Sequence, residues 1–150
     1  MPVNVRKITL WRAEVENKPG VLAQTLEPLA GAGVDLQVVM GYRYPGEENK
    51  AAIEVAPVTR KAAVQAAEAA GMSASSIPAL LVEGNNSPGL GHTIAQSIAD
   101  AGINLGFLMA QVVGKRYSAI IGLESEADAR KVATLIRRAA GPKPRKRKKA

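Results

Sequence analysis

Cysteine is absent from the 150 residues, which removes disulfides, thiolate metal sites and thiol nucleophiles together and leaves the redox compartment unreadable. Aromatic residues make up 3% of the chain, too few for the stacking platforms that hold single-stranded nucleic acid. The single histidine, His92, has neither cysteine nor clustered carboxylates near it in sequence, so no metal site is expected and a solvent-facing helical position is. Nothing resembles a nucleophile motif, a Lys-bearing phosphate loop or a metal-ligand spacing, so the chain reads as non-enzymatic and without a cofactor. No uncharged apolar run approaches the ~18 residues of a membrane span. The segment before Ile8 has no apolar core of signal-peptide length. A soluble, cytoplasmic protein is the expectation.

Acidic residues are missing from one place in particular. Residues 142–150 (PKPRKRKKA) carry six of the 20 basic residues and no acid, which leaves 14 basic against 13 acidic elsewhere. The net charge of +7 therefore belongs to an appended tail and not to a folded face. Such a tail is expected to be disordered and able to touch polyanions through counterion release.

What is present is a repeat. Glu14-Val15-Glu16-Asn17-Lys18-Pro19-Gly20-Val21 returns sixty-nine residues later as Glu83-Gly84-Asn85-Asn86-Ser87-Pro88-Gly89-Leu90. Ala32-Gly33-Val34-Asp35-Leu36 likewise returns as Ala101-Gly102-Ile103-Asn104-Leu105. Ten of the 33 pairs between residues 8–40 and 77–109 are identical without a gap, and internal duplication is the economical explanation.

Each copy has the same element pattern. Residues 3–16 read as one extended segment whose strand proper starts near Ile8, with Trp11, Ala13 and Val15 on one face. Pro19 suits the first turn of a following helix, whose Leu22, Leu26 and Leu29 form an inward stripe and which Pro28 should bend or shorten near residues 24–27. Val34 to Met40 alternate as a second strand and Ala51 to Val55 as a third. Thr59 is placed to cap a helix over residues 60–70 with Val64 at its apolar centre. Ser75–Ile77 is a weak fourth strand. In the second copy Leu80 and Val82 replace Trp11 and Ala13, Ile94 and Ile98 point inward, and Ser125 caps a helix striped with Val132, Leu135, Ile136 and Ala139. No fourth strand follows it. The expected domains are 1–74, then 75–141 with a weak or absent fourth strand, then the tail. The fold class is α+β: two tandem ferredoxin-like (βαββαβ) units with antiparallel sheets and helices on one face.

The combination of strand, Asn-x-Pro-Gly-Val/Leu, helix and Ala-Gly-Val/Ile-Asp/Asn-Leu resembles the ACT domain family, and the resemblance covers residues 8–140 as two copies. It implies a stand-alone regulatory protein that binds a small amino acid and forms a homodimer, with ligand held between paired domains. The strand-to-helix turn of one domain and the residue opening the second strand of another would contact it. On this sequence those positions are Asn17, Gly20 and Val21 with Asp35, and Asn86, Ser87, Gly89 and Leu90 with Asn104.

Elementary chemistry supports such a site: a helix N-terminus offers unpaired N–H groups and partial positive charge to a carboxylate, and an amide side chain both donates and accepts. With Gly84, Gly89 and Gly91 in one turn and Asn at both matching positions, the second copy is expected to be the better site, while Asp35 would repel a carboxylate in the first. The bland readings stand beside this one. Asn-x-Pro-Gly can be a plain helix start in which Asn caps, Pro begins and Gly turns, Asn104 an exposed strand-start residue, and Trp11 a core or interface residue. An alternative function is a structural or protein-interaction module whose basic tail contacts nucleic acid or an acidic partner.

Overall fold

The computed structural model of the chain describes residues 3–141; the basic tail lies outside the described residues. Its elements run β1 (Asn4–Ile8), β2 (Trp11–Glu16), α1 (Val21–Gly31), β3 (Val38–Tyr44), β4 (Glu47–Ala56), α2 (Lys61–Ala69), β5 (Ser73–Ala74), β6 (Ala79–Asn85), α3 (Leu90–Asp100), β7 (Leu105–Val113), β8 (Arg116–Leu123) and α4 (Glu126–Ala140). Two four-stranded sheets result, ordered β3-β4-β2-β5 and β1-β6-β8-β7. Two ferredoxin-like halves are thus present, each with its helices gathered on one face.

The unit Ile8–Ser76 buries Ala13 of β2 with Ile53 and Val55 of β4 against Leu29, Ala63 and Ala67 of its two helices. Fully burying each branched aliphatic contributes about 1.5–3 kcal/mol, so this cluster sets which sheet face the helices cover. Several local expectations change here. Leu22 stays 43% exposed, and Thr25 takes its inward place, satisfying its hydroxyl by donating to the Val21 carbonyl at 2.8 Å. Pro28 sits inside α1 without shortening it. Thr59 does not cap α2, whose N-cap is Arg60 with no side-chain hydrogen bond, and the inward residues are Ala63 and Ala67 instead of Val64. β3 begins at Val38, not at Val34. The fourth strand is Ser73–Ala74, paired to Trp11 and Arg12 of β2, with the Ser75 N–H donating to the Leu10 carbonyl.

The other unit joins residues 3–7 to 77–141 among the described residues, so the expected division at residue 74 does not describe the chain. The extended segment 3–16 is two strands belonging to different sheets. β1 lies beside β6, in the position that β5 holds beside β2, and supplies the fourth strand expected to be weak or absent from this copy. Val5 enters the core with Leu80, Val82, Ile121, Val132 and Ile136, and Arg137 of α4 donates to the Val5 carbonyl at 3.1 Å. The ion pairs Arg6–Glu83 and Lys7–Glu126 are solvent-exposed and contribute little beside that burial. Ile94 and Ile98 point inward as expected, and the Ser125 hydroxyl accepts from the Asp128 N–H at 3.1 Å, capping α4.

Candidate functional site

The two Asn-x-Pro-Gly turns share a backbone. Gly20 and Gly89 are the N-caps of α1 and α3, with φ of 87° and 81° and no side-chain cap hydrogen bond at either. Only glycine adopts that left-handed conformation without strain, and it brings no oxygen to the donors of the first helical turn. The plain helix-start reading therefore fails in its particulars. Neither asparagine caps, and Pro19 precedes the N-cap instead of opening the helix.

Asn17 is used differently: its N–H donates to the Asn49 carbonyl at 2.9 Å and its Nδ2 to the Glu48 carbonyl at 2.8 Å. Both bonds tie the turn to the start of β4. In the second copy the Asn86 N–H donates to the Lys115 carbonyl at 2.8 Å, while it is the neighbouring Asn85 whose side chain accepts from Arg116. Ser87 contributes its carbonyl to the Leu90 N–H. His92 is exposed on α3.

A cleft of about 280 Å³ opens at the first turn, and Asn17, Gly20 and Val21 all line it. Its apolar floor is Val15, Ala51 and Ile53; Gly41, lacking a side chain, opens one wall, and Lys18 and Arg43 bring two cations to the rim. No carboxylate lines it, Lys18 is paired with Glu16 at 3.6 Å, and the α1 N-terminus adds partial positive charge. Asp35 is not part of it. Asp35 is exposed beyond the far end of the eleven-residue α1, about 16 Å along the helix axis from the turn. Asn104 stands in the same relation to the second turn, exposed just before β7. Within one unit, turn and strand-opening residue do not converge. A second hollow of about 510 Å³ runs along α1 to the end of α2 and shares Val15, Lys18 and Val21 with the cleft, and a third of about 350 Å³ lies between β1 and α4.

Residues that motif reasoning missed belong mainly to β3 and β8. Tyr42 donates to Glu54 Oε2 at 3.0 Å, and Arg12 hydrogen-bonds the Tyr44 hydroxyl and lies 5.7 Å from the centre of its ring. Glu54 is 1% exposed. A carboxylate so buried needs hydrogen-bond donors, and Tyr42 supplies one. Burial, and then the negative charge of Glu54, push the Tyr42 phenol upward. The signal in sequence was the strand alternation that puts Arg12 and Glu54 on the same sheet face, each flanked by core residues. Tyr117 of β8 sits directly opposite Gly84 and is pushed upward by burial. Among the described residues no three His, Asp or Glu side chains group to hold a metal, and no helix is long and apolar enough to cross a membrane.

No protein-family model matches the sequence, and no curated protein matches it. Solved structures do match in fold. A Bacteroides thetaiotaomicron protein superposes with a TM-score of 0.71 at 14% identity, over 87% of this chain and 88% of its own. The ligand-free regulatory subunit of aspartate kinase from Thermus thermophilus gives 0.62 at 19% identity over 93% and 97%. The corresponding subunit from Thermus flavus gives 0.60 at 19% identity over the same shares. The chain thus has the fold of those regulatory subunits along nearly its whole length, in agreement with the ACT resemblance of its duplicated turn.

Proposed function

We propose that this chain is a cytoplasmic, non-catalytic regulatory protein that binds a small amino acid, with the first turn, Asn17 to Val21, as the working site. The observation that carries this is the Gly20-capped helix start opening on an unfilled cleft with an apolar floor. A carboxylate placed there meets the uncapped N–H groups of Leu22 and Ala23 and the positive end of α1. A side chain then lies over Val15, Ala51 and Ile53. A volume of about 280 Å³ sits at the small end of ligand pockets and suits one small molecule. The fold shared with aspartate kinase regulatory subunits supports a regulatory role.

Homodimer formation is the second part of the proposal. β7 is the edge of its sheet, nine residues long, with Leu108, Met109, Val112 and Val113 exposed. A long apolar edge strand is a template for pairing with another chain. Asp35 or Asn104 would then reach a turn from a neighbouring unit. Asp35 offers an ammonium partner that the cleft lacks.

A melting-temperature screen against the twenty amino acids tests the reading. One of them should raise the transition at millimolar concentration, and Gly20→Val should remove the effect. The absence of any shift across the whole set would sink the amino-acid reading.

A further inference from the structure

The repeats differ at one strand pair beside the turn. In the first, Val15 of β2 faces Ala51 of β4, and both line the cleft. In the second, Gly84 stands in Val15's place and its partner across the sheet is Tyr117. Large and small side chains have been rearranged across the pair. The Tyr117 ring lies over Gly84 so closely that a Cβ there would come within 2.8 Å of the ring's Cε1 and 3.1 Å of its hydroxyl. Tyr117 is 8% exposed and belongs to the core cluster against which Leu90, the first residue of α3, also packs. Its hydroxyl is buried without a hydrogen-bond partner.

We propose that Tyr117 is a built-in occupant of the second turn's pocket: its phenol ring fills, from within the chain, the volume that the first repeat leaves open over Val15 and Ala51. The second turn then takes no ligand, and the chain carries one working site. Naming that volume a ligand pocket rests on the function proposed above; the filling itself rests on the strand pair alone.

Tyr117 is not the only ring laid over a glycine in this sheet. Phe107 covers Gly122, its register partner. That pair stands on the opposite sheet face, because Gly122 is flanked by Ile121 and Leu123, which point to the helices. Phe107 strands no polar atom. Tyr117 does, on the side of the sheet where the turn lies. A residue needed only as filler would leave less polar surface unsatisfied as phenylalanine.

The experiment uses the full chain and p-cresol, which is the tyrosine side chain itself. By titration calorimetry the unaltered protein should bind at most one p-cresol per chain, at the open first turn. Tyr117→Ala should bind one more p-cresol per chain than the unaltered protein. A cooperatively melting Tyr117→Ala that binds no more p-cresol than the unaltered chain overturns the proposal.

A readout that needs no variant is nitration by tetranitromethane. The exposed Tyr42 should react and Tyr117 should not; equal rates would show that the ring is not lodged. The two proposals fail separately. If no amino acid shifts the melting temperature while Tyr117→Ala binds the additional p-cresol, the amino-acid site falls and the occlusion stands; the reverse pattern sinks the occlusion alone.

Discussion

Removing one hydroxyl from each of two tyrosines should move stability in opposite directions. The Tyr42 hydroxyl donates to Glu54, a carboxylate that is almost wholly buried. Tyr42→Phe leaves that oxygen short of a donor, and a hydrogen bond lost at a charged, buried acceptor costs about 1–3 kcal/mol. The Tyr117 hydroxyl is buried with no partner. Tyr117→Phe removes a desolvated polar atom and keeps the ring over Gly84, so it should gain about 1 kcal/mol. Urea unfolding followed by circular dichroism reads both, as a shift in midpoint at constant slope. In a thermal melt each kcal/mol corresponds to about 2–4 °C for a chain of this size. Equal signs for the two variants would refute the reasoning. A destabilised Tyr117→Phe in particular would mean that its hydroxyl is bonded, for instance to a trapped water.

Alkaline pH gives a second test of the same pair. Both phenols are raised above the ordinary tyrosine value near 10, Tyr117 by burial and Tyr42 by burial followed by the charge of Glu54. A raised value means that the native state keeps its proton after the unfolded chain has lost it. The stability these groups contribute is therefore whole below pH ~10 and falls as pH rises from there through the folded values. Each Phe variant should show a shallower loss above pH ~10 than the unaltered protein.

Further outcomes follow from the same geometry. Gly20→Ala should cost about 1–2 kcal/mol, the strain of a left-handed φ for a residue with a Cβ, since no atom lies within 4 Å of the added carbon; chemical denaturation checks it. Val112→Lys on the edge strand should shift the protein toward monomer in size-exclusion chromatography with light scattering, because an edge lysine opposes strand pairing. A chain beginning at Ile8 should lose β1 and leave the core site of Val5 empty. Hydrogen exchange should then speed up in β6 and α4 while β2 and β4 keep their protection.

Much of the fold was legible because duplication repeats its signals. Periodicity placed all four helices and the β2, β4, β6 and β8 strands, and the Asn-x-Pro-Gly turns marked where α1 and α3 begin. What was not legible is long-range. Residues 3–16 read as one extended segment, and alternation cannot say that Val5 and Trp11 serve different sheets. The inward residues of α1 and α2 also departed from the largest-apolar rule. Thr25 replaces Leu22 because its hydroxyl is satisfied by the helix backbone, and the buried residues of α2 are the alanines Ala63 and Ala67. At the site, the motif marked where each helix begins but not the left-handed Gly caps, and the second copy, read as the more open one, has the Tyr117 ring over Gly84. Gly84 read as room; it is room already taken.

That last reversal shows what decides between two copies of one turn. The backbone dihedrals of Gly20 and Gly89 differ by only a few degrees, so each helix start presents the same donors. The difference comes from the third strand of each unit, roughly thirty residues further along the chain, through whichever residue falls opposite Val15 or Gly84 in register. Between the copies that partner's offset is 66 residues, Ala51 to Tyr117, where the turns are 69 apart, because the second hairpin is shorter. An ungapped comparison of the repeats aligns Ala51 with Ile120 and never sets it against Tyr117. On the occlusion proposed above, whether a turn of this kind takes a ligand depends on hairpin length and strand register, which fix the residue opposite Val15 or Gly84. The N–H groups of the first helical turn are the donors in both repeats, and the residue across the sheet would decide whether anything can reach them.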